Sequence, residues 1–301
     1  MSAIFLCARR RLYSGVNSRL PPRRLISSSN SPQGNPLVLA GTVPYHESYI
    51  LLHTRQSPQT YPSKVPSKLQ RTLQLLATQW GGIVNFSWSP EQPVHESTQD
   101  SWEQKDREEI YHLTAFSRYK GCLEIPEVSM DNLEAVCEQL QLHAAQSEST
   151  NTTQKLSKDV IHIYVCIHGN RDCRCGETGG QVFDTLRREV KARGLTEQVK
   201  VAGVGHVGGH KYAGNILVYP WGDWLAHIAD RDVESTLDKI LKMDPLLLPD
   251  PTTPPLWASH WRGRMGLDKE SQLAMISASP SIGHTMASFQ GLGHFLSRAP
   301  S

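Results

Sequence analysis

Hydrophobic and polar residues follow two different periods along the first half of the chain. Residues 83–88 alternate apolar and polar side chains, the period of two that is typical of a strand. Across 69–80, leucines and a tryptophan recur every three or four residues, which predicts a helix that ends at Gly81. The same criteria predict a short strand over 49–53 and a second helix over 131–140.

The second half begins with a strongly apolar strand pattern. The predicted elements are strands over 160–166, 199–204 and 216–219 and helices over 181–193 and 231–243. Strand, helix, strand, strand, helix is compatible with a thioredoxin-like α/β layer. Prolines over 249–255 break regular structure, and the sequence predicts only a tail after them. No internal repeat is visible in the sequence.

These patterns predict an α/β protein with two folded regions. The polar stretch 146–158, rich in Ser, Thr, Asn and Gln, has the composition of a linker. It separates a smaller α/β domain over 36–145 from a thioredoxin-like domain over 159–248. Residues 249–301 form a C-terminal extension.

The first 35 residues differ in composition from the rest. They carry six arginines and many serines, and the first acidic residue of the chain is Glu47. Arg-rich, Ser-rich and acid-free composition is typical of a mitochondrial transit peptide, and a disordered basic tail is the alternative. Without those six arginines, 25 basic and 29 acidic residues remain, which argues against a nucleic-acid partner.

Bulk composition excludes two further classes of protein. No apolar run approaches the roughly 18 residues needed to span a bilayer. Six cysteines in 301 residues, without a repeated spacing, do not indicate a disulfide-built fold. Free thiols or metal ligands in a reducing compartment fit this usage better.

Two cysteines and two histidines have a spacing that suggests a metal site. Cys166 and Cys175 have eight residues between them, and His206 and His210 have three. Each pair lies at or just after the end of a predicted strand, with Cys175 expected in a loop before the helix. Loops at strand ends on one sheet edge can converge, and these four side chains can hold zinc or an iron–sulfur cluster.

Residue spacing narrows these alternatives without deciding between them. His168 completes a C-x-H with Cys166, but the C-x-x-H pair that a Rieske centre also needs is absent. The gap between the cysteines is too long for a short-spaced zinc finger, although zinc remains an alternative. Cys173 is either a further ligand or a free thiol, and Cys122 follows a basic stretch that would lower a thiol pKa. A thiol enzyme is the third alternative, with no C-x-x-C pair to support it.

A family resemblance rests on four segments of this sequence. They are CIHGNRDCRCG (166–176), GHVGGHKYAGN (205–215), VYPWGDW (218–224) and WRGRMGLD (261–268). Together they resemble the sucrase/ferredoxin-like family, and in particular its mitochondrial branch. The resemblance is specific over about 158–230 and extends from about residue 37. The "sucrase" of that name finds no support, because no paired-carboxylate motif for glycoside hydrolysis is present.

The resemblance implies a thioredoxin-like ferredoxin domain, with a second thioredoxin-like fold as one option for the smaller domain. It implies a [2Fe-2S] cluster with one iron on Cys166 and Cys175 and the other on His206 and His210, and it leaves Cys173 open. The expected function is single-electron transfer, proton-coupled or not, or thiol redox homeostasis. Its partners would be redox proteins and the iron–sulfur assembly machinery, in mitochondria, with the matrix favoured over the intermembrane space. The alternative is a structural zinc-binding interaction module.

Overall fold

The structure, a computed structural model, describes residues 39–99, 102, 108–146, 160–250 and 252–278. The predicted transit peptide, most of the predicted linker and residues 279–301 lie outside this part. The described residues form an α/β fold, as predicted, around a nine-stranded mixed sheet with strand order β4-β3-β1-β2-β6-β5-β7-β8-β9.

The first four strands and two helices form one topological unit. Strands β1 and β2 are parallel, so the chain crosses between them through α1, and β3 and β4 then add antiparallel beside β1. The elements are β1 (Ser48–His53), α1 (Lys68–Ala77), β2 (Gly82–Trp88), β3 (Tyr111–Ser117), β4 (Gly121–Val128) and α2 (Leu133–Ala144).

The second half repeats the same topology. Strands β5 and β6 are parallel across α3, and β7 and β8 add antiparallel beside β5. The elements are β5 (Ile161–Cys166), α3 (Cys173–Ala192), β6 (Val199–Val204), β7 (Ile216–Tyr219), β8 (Asp223–Leu225) and α4 (Val233–Ile240). Two additions complete this half, β9 (Trp261–Arg264) beside β8 and α5 (Lys269–Ser277).

The two units meet edge to edge and face to face. Strands β2 and β6 pair antiparallel only at their last residues, Ser87 with Val204 and Trp88 with Gly203. The carboxyl ends of both parallel pairs therefore meet in the middle of the sheet. A separate apolar cluster joins Tyr49 and Phe116 of the first unit to side chains of β5 to β8, so the inner sheet faces also pack together.

The structure corrects two sequence predictions. Helix α3 begins eight residues earlier than the predicted 181–193, so Cys175 lies in its first turn and not in a preceding loop. The predicted tail after the prolines contains the buried strand β9 and the helix α5. Within the described ranges, no helix is long and apolar enough to cross a bilayer.

Candidate metal centre

Three of the four predicted ligands lie together at the carboxyl ends of strands β5 and β6. Cys166 is the last residue of β5, Cys175 lies on α3, and His206 follows β6. Their sulfur and ring nitrogen atoms all lie within 4.8 Å of one another, and Cys175 Sγ is 3.8 Å from His206 Nδ1. Both cysteines are buried and His206 is partly exposed. The set therefore forms a pocket of soft and borderline donors that suits zinc or iron.

The start of α3 brings Cys175 to this position. Asp172 is the N-cap, and its carboxylate accepts a hydrogen bond from the backbone N–H of Arg174. The helix can then run close over the end of β5 because glycine occupies the contact position. A Cβ on Gly179 would lie 2.1 Å from the carbonyl oxygen of Cys166, so no other residue fits there without displacing one of the two elements.

Two buried side chains hold the histidine loop that follows β6. Gly208 and Gly209 both adopt positive φ angles, +80° and +67°, which favour glycine. The Arg262 guanidinium on β9 donates to the carbonyl of Gly208, and Asn215 donates to that of Gly209. Arg262 also bonds the side chain of Asn215, and the carbonyl of Asn215 accepts the N–H of Cys166. These hydrogen bonds connect strand β5, which ends at Cys166, to the loop after β6, which carries His206 and His210.

Sequence reasoning missed these two residues as parts of the site. Both stand within segments that carry the family resemblance, at 205–215 and 261–268. Arg262 lies about fifty residues after the last predicted ligand, and only the pairing of β9 with β8 brings it back to the site. No spacing rule could have indicated it.

His210 lies beside the three-residue set but outside it. It begins the short 3-10 helix His210–Tyr212, and its side chain is half exposed. Its ring centroid is 6.0 Å from that of His206, and its Nδ1 is 3.8 Å from the carboxylate of Asp172. His210 would have to turn from Asp172 towards the thiols to serve as a fourth ligand.

His168 supports the site and is not placed as a ligand. Its Nδ1 accepts the backbone N–H of His206 at 3.3 Å, and its Nε2 donates to the carbonyl of Pro62 at 3.0 Å. Both ring nitrogens are therefore used, which fixes the neutral tautomer with the proton on Nε2. Burial lowers the pKa of His168 and favours the same neutral form. Cys173 and Cys122, the other two candidate thiols, are exposed.

The hydrogen bond between the two buried thiols shifts their pKa values in opposite directions. The hydrogen bond from Cys175 lowers the pKa of Cys166, against the opposing effect of burial, and the backbone N–H groups of Val207 and His168 lower it further. The same hydrogen bond, with burial, raises the pKa of Cys175. Loss of the second proton would need a nearby positive charge, which a bound metal supplies. Buried Arg262 adds a smaller attraction for the Cys166 thiolate and stays charged at neutral pH, although burial lowers its pKa to about 10.

A segment of the first unit, at Tyr61 and Pro62, packs against the loop between Cys166 and α3. The carbonyls of Tyr61 and Pro62 accept hydrogen bonds from Asn170 and His168, at 2.8 and 3.0 Å. The Tyr61 ring packs edge-on against His168, with the ring centroids 5.6 Å apart. The first unit therefore packs against the loop that follows Cys166, a role that the sequence did not indicate.

Comparison with known proteins agrees with the sequence resemblance. Residues 39–263 match the model of the family described as sucrase/ferredoxin-like. One relative is altered inheritance of mitochondria protein 32 of Meyerozyma guilliermondii, 27% identical over 170 residues, which cover 53% of this chain and 58% of that protein. Another is actin patches distal protein 1 of Saccharomyces cerevisiae, 28% identical over 114 residues, with 34% and 36% covered.

Among solved structures, the wild-type thioredoxin-like [2Fe-2S] ferredoxin from Aquifex aeolicus is similar to part of this chain. It is 17% identical, with a TM-score of 0.26, over 31% of this chain and all of the ferredoxin. The family match, by contrast, spans both topological units and includes all four predicted ligands. The chain belongs to the sucrase/ferredoxin-like family.

Proposed function

We propose that this protein is a mitochondrial redox protein that carries a [2Fe-2S] cluster on Cys166, Cys175, His206 and His210. The donor set supports the proposal most directly, because two buried thiols lie beside each other with an imidazole 3.8 Å from one of them. Backbone N–H groups that bond the Cys166 sulfur are the kind of contact that tunes cluster potentials. When bound, such a cluster supplies a site that gains and loses single electrons.

The histidines give this site its distinctive chemistry. Thiolates stabilise the ferric state, so two neutral imidazoles in their place remove two negative charges and raise the potential. An imidazole ligand also keeps a second ring nitrogen that can exchange a proton, which couples the potential to pH. A group that hydrogen-bonds that nitrogen would tune both its proton affinity and the potential.

The cellular setting rests on sequence and on relatives. The acid-free, Arg- and Ser-rich residues 1–35 fit a mitochondrial leader, and a relative is named for the inheritance of mitochondria. We place the protein in the matrix, where it would receive its cluster from the iron–sulfur assembly machinery and exchange electrons with redox proteins.

A structural zinc site is the second candidate, and one observation favours it. A tetrahedral zinc ion holds its donors about 3.5 Å apart. The three donors already lie within 4.8 Å, so one ion needs little rearrangement. Such a protein would be an interaction module without redox activity.

Metal analysis with a ligand swap separates the two candidates. Protein purified without oxygen should contain equal amounts of iron and acid-labile sulfide and show an EPR signal when reduced. The double variant His206→Cys, His210→Cys, if it assembles the cluster, should have a potential lower by on the order of 100 mV or more. His95→Ala, remote from the site, is the control. Colourless protein with zinc and no sulfide would overturn the proposal.

A further inference from the structure

A large cavity lies between the inner faces of the two topological units. The described residues line a space of about 740 Å³ that is open to solvent on one side, within the size range of small-molecule sites. Next to this space the two faces are in close contact. Phe116 stacks on Tyr219 with a centroid distance of 4.2 Å and an angle of 13° between the ring planes. A space of this size beside a packed aromatic pair is large enough to admit a small molecule.

The cavity wall is aromatic. Phe116 on β3 meets His162 and Tyr164 on β5 edge-on, at centroid distances of 5.1 and 5.9 Å, and all three line the cavity. Ala202 on β6 is the neighbour of Tyr164 in the sheet and leaves room beside its ring. Flat aromatic walls favour flat ligands, which can stack or meet them edge-on.

The wall contains a tyrosine hydroxyl that is available to a ligand. Tyr164 is 4% exposed, and among the described residues its hydroxyl makes no hydrogen bond. Burial raises its pKa well above 10, so the hydroxyl keeps its proton and can donate it. The hydroxyl is not among the fully enclosed polar atoms, so it opens to the cavity, where an acceptor on a ligand can take its hydrogen bond.

The charges at the cavity limit the class of ligand. Four basic and three acidic residues line it, and Arg187 pairs with Glu91 while Lys200 lies 3.9 Å from Glu197. This near balance gives no strong attraction for a polyanion such as a nucleotide phosphate chain. An uncharged ligand with carbonyl oxygens fits the wall and the rim better.

We infer that this cavity binds a planar, uncharged aromatic compound with carbonyl acceptors, of the quinone class, against Phe116 and Tyr164 and within reach of the Tyr164 hydroxyl. The site is independent of the metal centre, yet close to it. Tyr164 and Cys166 lie on the same face of β5, two residues or about 7 Å apart along the strand. If the proposed cluster is present, a bound quinone would lie near enough to exchange electrons with it.

Calorimetric titration of the full-length protein with duroquinone, whose ring carbons are all substituted and so do not readily add to thiols such as Cys122, tests the inference. Wild type should bind one molecule per chain saturably. Tyr164→Phe keeps the ring but loses the donor, and should bind about five-fold more weakly. Ala202→Phe should fill the space and abolish binding. Tyr111→Phe, a buried tyrosine on β3 that does not line the cavity, is the matched control and should bind as wild type.

The outcomes also separate this site from the proposed cluster. His206→Ala, which alters the metal donors, should leave duroquinone binding unchanged even if the protein proves to hold zinc. No saturable binding by wild type would overturn the inference. Equal binding by wild type and Tyr164→Phe would overturn it as well, and this comparison stands even if Ala202→Phe fails to fold.

Discussion

The role of a single histidine depends on which atoms its ring nitrogens contact. His168 follows Cys166 in a C-x-H that by sequence alone resembles a ligand pair, yet both of its nitrogens are already bonded, to His206 N–H and to the carbonyl of Pro62. It therefore orients His206 through the backbone. Spacing cannot distinguish a ligand from a residue that positions one, because both need to be near the metal.

Replacement of His168 should weaken metal binding without changing the ligands. We expect His168→Ala to lower the metal content of purified protein, consistent with a 10- to 100-fold loss of affinity, about the effect of losing a supporting contact to a ligand. If the proposed cluster is present, the reduced-state EPR signal of the fraction that remains should keep its shape. His206→Ala is the comparison, because loss of a true ligand should change that signal. If His168→Ala alters the signal in the same way, His168 is a ligand and the assignment is wrong.

At the scale of elements, the sequence predicted best the segments with a uniform pattern. The strands over 199–204 and 216–219 have the predicted bounds because nearly every residue in them is apolar. Strand β4 was missed, because its outward positions are charged and Pro126 interrupts it at the sheet edge. The start of α3 was missed because its glycines suggest a loop, whereas in the structure they allow the helix to approach β5.

Alanine substitution at two adjacent glycines of α3, Gly179 and Gly180, should therefore have different effects on the free energy of unfolding. A Cβ on Gly179 meets the rigid carbonyl of Cys166 at 2.1 Å, so Gly179→Ala should lower the free energy of unfolding by about 2 kcal/mol and reduce metal content. A Cβ on Gly180 meets only the movable end of the Gln59 side chain, at 2.7 Å. Gly180→Ala should be neutral or stabilise by up to about 1 kcal/mol, through helix propensity.

Urea unfolding of the two alanine variants and wild type, followed by circular dichroism, gives this comparison directly. The substitutions are chemically identical and lie one residue apart on the same helix. Equal effects at both positions would mean that helix propensity decides the outcome and that close packing of α3 on β5 does not.

At the scale of the molecule, the duplicated topology joins the metal centre to the rest of the protein. The second unit supplies all four proposed ligands, while the first contacts the loop after Cys166 through Tyr61 and Pro62 and contributes to the cavity wall. The repeat was invisible in the sequence, because topology constrains which positions are apolar but not which apolar residue fills each one. The joint site depends on the two units remaining packed together.

Acid should weaken the packing of the whole molecule, because His46 and His53 are among the histidines that burial keeps neutral. Burial lowers the pKa of His46 to about 4 and that of His53 to about 3, from an ordinary value of 6.5. The unfolded chain binds protons at these groups below pH 6.5 while the folded protein does not, so stability is full above that pH and falls as the pH decreases. Each group contributes a slope of about 1 kcal/mol per pH unit between pH 6 and 4.

His53→Gln isolates one of these contributions. His53 bonds the carbonyl of Pro93 and the hydroxyl of Thr114 at the edge of the cavity, away from the metal donors. The variant should be less stable than wild type at pH 7, because those bonds are disturbed. Its free energy of unfolding should nevertheless fall less steeply between pH 6 and 4, by about 1 kcal/mol per pH unit. Urea titrations at several pH values measure both effects, and parallel pH profiles would show that His53 takes up its proton in the folded protein.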